Sequence, residues 1–132
     1  MAMKISCSVV TPDRVLYKGD VDFAVVQAYD GERGFLYNHI PLVSQLGYGE
    51  VRLYTGDVIE RLIVEGGIVE IRENELIVLA EDAMLKKELS KDEIQKKLTE
   101  LSAIEKPRDF GERELINFEI KKMKARLKVA TV

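Results

Sequence analysis

Residues 58–81 read VIERLIVEGGIVEIRENELIVLAE, and this stretch decides the fold. It is rich in Val and Ile, which favour β-strands. Turn signals interrupt it at Gly66-Gly67 and at Glu73–Glu75, where Asn74 tolerates the positive φ of a tight turn. We therefore predict three strands in this stretch, separated at these two points.

Shorter strand patterns precede this stretch. The segment DVDFAVVQA at residues 20–28 is apolar on both faces in its middle, and EVRLY at residues 50–54 alternates apolar and polar side chains. TGD at residues 55–57 is a further turn signal. Turn signals spaced roughly 8–12 residues apart, with no helical stretch between them, predict an all-β sandwich or barrel. We assign residues 1–84 to this β-domain.

The hydrophobic period changes after residue 84. Ile94, Leu98 and Leu101 recur at helical spacing. Ser90 and Glu93 have the spacing of a capping box, so we predict that a first helix begins near Ser90.

A second helical pattern follows KPRDFGER, residues 106–113, which we interpret as a linker containing Pro107 and Gly111. The apolar positions of this second pattern are Ile116, Ile120, Met123 and Leu127. Two amphipathic helices with a short connection predict an antiparallel two-helix hairpin over residues 85–132. Because each apolar stripe is narrow, we expect the hairpin to dock weakly.

The two parts of the chain carry opposite charge. The whole chain has 132 residues and a net charge of −3. Residues 1–84 hold 7 basic and 14 acidic side chains, whereas residues 85–132 hold 13 basic and 9 acidic ones. The basic residues of the second helix are Lys121, Lys122, Lys124, Arg126 and Lys128. They form either a solvated face or a surface for an acidic partner. No aromatic platform or DNA-binding module accompanies them, which disfavours nucleic acid.

The sequence offers little material for catalysis. Cys7 is the only cysteine, so no disulfide can form within the chain, and its alternation with Ile5 and Val9 predicts a buried side chain. His39 is the only histidine, which excludes a His-rich metal site. GERG at residues 31–34 lacks the ending of a phosphate-binding loop. We therefore predict a chain that is not an enzyme and needs no cofactor.

No signal peptide is visible, and no apolar run is long enough to cross a bilayer. If the protein works at a membrane, we expect it to do so through a partner.

Residues 31–42, GERGFLYNHIPL, form either a functional site or a structural corner. Gly31 follows an aspartate as in a tight turn, and Gly34 allows the chain to re-enter a strand. This interpretation leaves Glu32 and Arg33 exposed at a loop tip, where contacts with partners are often made.

Three ordered stretches together resemble the ε subunit of F-type ATP synthases. They are VTPDRVLYKGDVDFAVV at residues 10–26, GERGFLYNHIPLVSQLGYGEVRL at residues 31–53, and VEGGIVEIRENELIVLAEDA at residues 64–83. The second and third carry the two glycine-containing signatures of that family, with their spacing kept. The basic two-helix tail is also of the expected kind.

The resemblance implies a β-sandwich of about ten strands followed by a C-terminal helical hairpin. It implies a non-catalytic subunit of the central rotor stalk, bound to the γ subunit and seated on the c-ring of a complex that couples proton flow to ATP synthesis. The chain would lie peripherally at the cytoplasmic face of the bacterial cell membrane.

The resemblance also implies contact residues. Glu32 corresponds to the acidic position that faces the c-ring, and Arg33, His39 and Pro41 complete the set that would contact the c-ring or the γ subunit. The five basic residues of the second helix would meet an acidic segment of the catalytic β subunits, within the α/β assembly, when the tail is extended. Such a contact would block ATP hydrolysis.

The chain departs from the family pattern at two places. Members that bind ATP carry an Asp and an Arg at the start of the first helix, where this chain aligns Leu89, Ser90, Glu93 and Ile94. We therefore predict no tight ATP binding. A Pro-Gly pair usually precedes the histidine; here Asn38 is the better candidate for the positive φ of that turn.

An alternative interpretation is a β-sandwich binding module unrelated to ATP synthesis, with the helices as a dimerisation arm. The ordered pair of glycine signatures favours the ATP synthase subunit over this alternative.

Overall fold

The computed structural model describes residues 3–105 and 109–132. Within these residues eight strands are followed by a short 3-10 helix and two α-helices. The strands are β1 (Ile5–Val10), β2 (Val15–Val21), β3 (Phe23–Ala28), β4 (Gly31–Phe35), β5 (Leu42–Gln45), β6 (Tyr48–Thr55), β7 (Val58–Arg72) and β8 (Glu75–Leu85). The 3-10 helix spans Lys86–Glu88, and the α-helices are α1 (Lys91–Ala103) and α2 (Phe110–Thr131).

The strands pair in the order β2-β1-β8-β7-β6-β3-β4, with β5 also pairing with β7. The first half of β7 pairs with β6, and its second half pairs with β5. The first half of β8 runs parallel to β1. A first layer therefore contains β2, β1, β5 and one half of each long strand. A second layer contains β4, β3, β6 and the other halves.

The two long strands pass from one layer to the other near Gly66 and Gly67, whose φ angles are 79° and 121°. The β7–β8 pairing runs from Glu65–Asp82 to Gly67–Ala80 without a change of register. The predicted strand break at Gly66-Gly67 is therefore wrong, because the pair bends a continuous strand. Since β7 and β8 each contribute to both layers, these eight strands provide the ten segments of the expected sandwich.

The core lies between the two layers and is built from the inward faces of the strands. Ile5, Cys7 and Val9 of β1 are fully buried, as are Val51 and, almost completely, Leu53 of β6. Burial raises the pKa of the Cys7 thiol to about 12. The predictions of a buried cysteine and of alternation in the EVRLY segment are confirmed.

The turns follow local sequence signals. Glu73 and Asn74, with φ of 51° and 62°, connect β7 to β8 as predicted, and Gly56 forms the predicted turn with a φ of 58°. The segment at residues 20–28 is not one strand, because Asp22 separates β2 from β3. The backbone N–H of Asp22 donates to the Tyr54 carbonyl, which holds the chain at this point.

The first helix begins as predicted. The Ser90 side chain accepts a hydrogen bond from the backbone N–H of Glu93 at 3.4 Å, and α1 starts at Lys91. The second helix begins earlier than predicted. Asp109 caps it by accepting from the N–H of Glu112 at 3.2 Å.

The interpretation of residues 106–113 as a linker is thus wrong for its last four residues, which form the first turn of α2. An aspartate N-cap satisfies one of the free N–H groups of that turn and outweighs the low helix propensity of Gly111. Residues 106–108, with Pro107, lie outside the described residues.

The helices pack on each other, and α2 also lies on β6 and β7. No helix in the described part of the chain is long and apolar enough to cross a membrane. β8 ends at Leu85 and α1 begins at Lys91. The division into two domains at residue 84 remains a prediction.

Candidate partner-binding surfaces

The predicted loop tip at Glu32 and Arg33 is a strand. Both residues lie in β4, and Glu32 pairs with Gln27 of β3. The turn lies before them, at Tyr29 and Asp30. Gly31 follows this turn as the first residue of β4 and has a φ of 129°. The loop-tip prediction is therefore wrong, because the chain regains strand pairing immediately after the turn.

Glu32 is exposed, yet it is held in place. Nη1 of Arg52 donates to Oε2 of Glu32 at 2.7 Å and to Oε1 of Glu50 at 2.8 Å. Arg61 donates to the other oxygen of Glu50 at 2.9 Å. Hydrogen bonds from Arg52 to Glu32 first, and then to Glu50, raise the pKa of the Arg52 guanidinium. This charge network fixes the direction in which the Glu32 carboxylate points.

Arg33 does not share this environment. It alternates with Glu32 along β4, so its side chain leaves the opposite face of the strand. Its Nη2 lies 3.0 Å from Oδ2 of Asp30. The two predicted neighbours therefore do not form one contact patch.

The corner that follows β4 is fixed by two asparagines. Asn38 has the predicted positive φ, 63°, and its N–H donates to Oδ1 of Asn74 at 2.6 Å. The His39 ring lies 5.1 Å from the Phe35 ring, and its Nδ1 lies 2.6 Å from the Ile40 carbonyl oxygen. Such contacts are those of a structural histidine.

The corner exposes apolar side chains. Ile40 is 74% exposed, and Leu36 and Tyr37 are also exposed. His39 and the exposed Pro41 lie at the Phe35 end of β4, whereas Glu32 lies near its start. At about 3.3 Å per strand residue, the two groups are separated by roughly 10 Å or more. The structure does not bring the four predicted contact residues together.

An apolar row crosses the outer face of the first layer. Val10 of β1 pairs with Leu79 of β8, which pairs with Ile68 of β7. Leu79 is 50% exposed and Ile68 is 46% exposed, beside a groove of about 610 Å³. This apolar row was not predicted from the sequence, although ELIVLA carries apolar residues on both faces of its strand.

The outer face of the second layer lies under the tail. Tyr48, Glu65 and Asp82 are successive partners across β6, β7 and β8. The Tyr48 and Phe118 rings meet edge to face, with centroids 5.1 Å apart. Ile63 faces the same side as Glu65 and is fully buried. α2 thus covers this face.

Arg126 of α2 forms the main polar contact with that face. Its Nε donates to Oε2 of Glu65 at 2.8 Å, and its Nη2 donates to Oε1 at 2.6 Å. Glu65 is only 3% exposed. Hydrogen bonding to Glu65 raises the pKa of Arg126. The sequence pattern places Arg126 with the tail lysines and does not identify Glu65 as a contact residue.

The tail lysines have different surroundings. Lys121 and Lys122 line a cavity of about 350 Å³ beside Tyr48 and Phe118. Lys128 lines another cavity, which also touches Glu32 and Glu50. Lys124 is exposed. The predicted set of five basic residues, Lys121, Lys122, Lys124, Arg126 and Lys128, therefore divides between the protein's own β-domain and solvent.

Two further contacts involve the 3-10 helix at the start of the tail. Arg14, in the β1–β2 connection, donates to both oxygens of Glu88 at 2.7 and 2.8 Å. This interaction, followed by the Leu85 N–H, lowers the pKa of Glu88 to about 2. Nζ of Lys86 donates to the carbonyl oxygen of Val132 at the end of α2.

The positions aligned with the ATP-binding motif surround a small cavity. Leu89, Ser90, Glu93 and Ile94 line it, in a volume of about 270 Å³, together with Arg126 and the acidic Glu88. Ser90 already serves as the cap of α1. Among the described residues, no three His, Cys, Asp or Glu side chains are grouped to hold a metal ion.

Residues 4–86 match the family model for the β-sandwich domain of the ATP synthase delta/epsilon chain. The ATP synthase epsilon chain of Leptospira borgpetersenii is 35% identical over 130 residues, which is 98% of each chain. That of Alkalihalophilus pseudofirmus is 49% identical over 81 residues, 61% of each chain.

Two solved structures share the fold. A chain in the Euglena gracilis mitochondrial ATP synthase (OSCP/F1/c-ring) has a TM-score of 0.87 at 19% identity, covering 98% of this chain and 82% of that one. A chain in the Tetrahymena thermophila mitochondrial ATP synthase (central stalk/c-ring) has a TM-score of 0.70 at 14% identity, covering 96% of each.

Proposed function

Because this chain belongs to the ATP synthase delta/epsilon family and is a non-catalytic epsilon subunit of an F-type ATP synthase, we propose that it joins the γ subunit to the c-ring in the central stalk. We further propose that its helical tail inhibits ATP hydrolysis. Family membership sets aside the alternative of an unrelated binding module.

The observation that carries the anchoring role is the apolar row of Val10, Leu79 and Ile68. Stable subunit interfaces bury apolar surface at their centre. α2 covers the part of the second layer's outer face that β6 and β7 form, whereas the apolar row on the first layer is open. We therefore assign the apolar row to the γ subunit.

We assign the contact with the c-ring to the residues around β4. Glu32 offers a carboxylate whose direction is fixed by Arg52, at 2.7 Å. The corner with His39 and Pro41 offers exposed apolar side chains. These two surfaces are separate, so we assign the c-ring contact to Glu32 and a supporting contact with the c-ring or γ to the corner. The subunit would reach the cytoplasmic face of the membrane through these partners.

The inhibitory role belongs to the tail lysines. Lys121, Lys122, Lys124 and Lys128 give α2 its basic character. When the tail leaves the β-domain, they would be free to contact an acidic segment of the catalytic subunits. Attraction between such surfaces depends on ionic strength.

Titration calorimetry of the full chain with the γ subunit tests the anchoring role. Leu79→Asp and Ile68→Asp should each weaken binding by roughly 100-fold or more, because a charge would be buried in an apolar contact. Val58→Asp is a matched control, since Val58 is also an exposed apolar residue but lies at the β6–β7 turn. Equal affinity of wild type and both row variants would show that γ binds elsewhere.

A further inference from the structure

Two carboxylates stand side by side where α2 contacts the β-domain, one of them buried and the other exposed. Glu65 of β7 and Asp82 of β8 are direct partners in an antiparallel ladder. Like charges at such positions repel each other. Nη2 of Arg126 lies 2.6 Å from Glu65 and 4.0 Å from the more exposed Asp82, so one guanidinium from α2 offsets part of the repulsion between the two carboxylates.

We propose that Glu65 and Arg126 form a latch that holds the tail on the β-domain, so that Arg126 opposes the inhibition which the tail lysines support. The effect on inhibition rests on the proposed function of the tail. The latch itself rests only on the contacts within this chain.

The burial of Glu65 is what makes the contact a latch. The Glu65 carboxylate is only 3% exposed, so it needs a hydrogen-bonding partner within the protein. A buried charge that loses its hydrogen bonds destabilises the docked state. Both oxygens of Glu65 are bound by the same guanidinium, in a planar two-bond geometry that a lysine cannot reproduce. When the tail lifts, Glu65 and Asp82 lose this cation together.

The contacts around the latch hold one particular face of α2 against the sheet. Phe118 packs on Tyr48, the strand partner of Glu65, so an aromatic contact and the ion pair hold adjacent points of the same sheet. Lys121 borders the cavity beside Phe118, but its side chain is exposed and forms no ion pair with any of the described residues. Neutralising a tail lysine should therefore leave docking intact, whereas removing Arg126 should not.

Spin labels on the full chain can measure docking directly. One label is attached at Asp57→Cys in the β6–β7 turn and the other at Lys124→Cys on α2, both exposed positions. Cys7 is fully buried and stays unlabelled. Pulsed electron paramagnetic resonance then gives the distances between the labels in wild type, Glu65→Gln, Arg126→Gln and the control Lys121→Gln.

The expected result is one short distance population in wild type and in Lys121→Gln. Each latch variant should shift the ratio of docked to extended tail by roughly tenfold or more toward the extended form. The double variant should shift it no further than either single one, because both remove the same interaction. An unchanged distribution in both latch variants overturns the proposal, and so does an equal shift in Lys121→Gln.

Arg126→Gln lies outside the β-sandwich, so it remains informative if Glu65→Gln fails to fold. ATP hydrolysis by the assembled complex then separates the two proposals. Stronger inhibition by Arg126→Gln supports the latch and the inhibitory tail together. A loosened tail with unchanged hydrolysis supports the latch and contradicts the inhibitory role.

Discussion

Gly67 lies against the backbone of Leu79, so that a Cβ on Gly67 would stand 2.0 Å from the Leu79 carbonyl oxygen. No side chain fits at that distance. The φ of Gly67, 121°, is also one that other residues rarely adopt. The bend that carries β7 and β8 between the layers therefore requires glycine here.

We expect Gly67→Ala to be among the most destabilising single changes in the chain. Gly31 is the matched control, because its φ of 129° is similar but nothing lies within 4 Å of the point that a Cβ would occupy there. Gly31→Ala should cost about 1–3 kcal/mol from backbone strain alone. Gly67→Ala should cost at least about 2 kcal/mol more because of the clash. Urea denaturation measures both, and equal losses would contradict the close approach.

Because of the Arg14–Glu88 pair, we expect the stability of the folded chain to depend on pH. Glu88 has a pKa of about 2 in the folded chain, below its ordinary value of 4.5, so the pair stabilises the fold above about pH 4.5. This contribution should fall as the pH drops from about 4.5 toward 2, because the carboxylate takes up a proton. Thermal melting of wild type and Glu88→Gln should therefore differ at pH 6 and converge near about pH 2.

Glu100→Gln, an exposed change on α1, provides the control for the acid experiment. Its difference from wild type should stay small at every pH. A Glu88→Gln difference that persists undiminished at low pH would show that this carboxylate does not titrate as the pair requires.

ATP should not bind tightly. The cavity at the start of α1 has a volume of only about 270 Å³ and is lined by the acidic Glu88 and Glu93 as well as by Lys97 and Arg126. Carboxylates repel phosphates, and Arg126, the arginine that lines this cavity, is already bound to Glu65. Titration calorimetry should detect no binding with a dissociation constant at or below about 1 mM, a free energy of about −4 kcal/mol. Saturable binding in that range would refute this prediction.

Reversing the charge of the tail lysines should relieve inhibition. We expect the combined variant Lys121→Glu, Lys122→Glu, Lys124→Glu and Lys128→Glu, with Arg126 unchanged, to raise ATP hydrolysis by the complex without detaching the subunit. The reason is that an acidic partner surface would then repel the tail. Hydrolysis rates and co-purification with γ measure the two effects. Loss of assembly would instead place these lysines in the anchor.

Local signals made several features predictable from sequence. The turn at Asn74, the positive φ of Asn38 and the helix start at Ser90 each depend on residues within a few positions. The Asp109 cap at the start of α2 is a similar local signal. The sequence prediction placed this start too late, because Gly111 is typical of a linker.

Features that depend on distant partners were not predictable in this way. A glycine pair with positive φ serves equally for a turn or for a bend, and the pairing of β5 and β6 along one side of β7 decides for the bend. Arg126 resembles its lysine neighbours in the sequence, because its partner Glu65 lies 61 residues away. The separation of Glu32 from His39 likewise follows from the strand between them.

The passage of β7 and β8 through both layers has a mechanical consequence. In a sandwich of two separate sheets, a shearing load is resisted only by side chains packed across the interface. Here part of such a load would run along two covalent backbones that cross at the glycine bend. Tension applied to the face with Leu79 can thus reach the face with Glu65 along these two backbones, without first stretching the core.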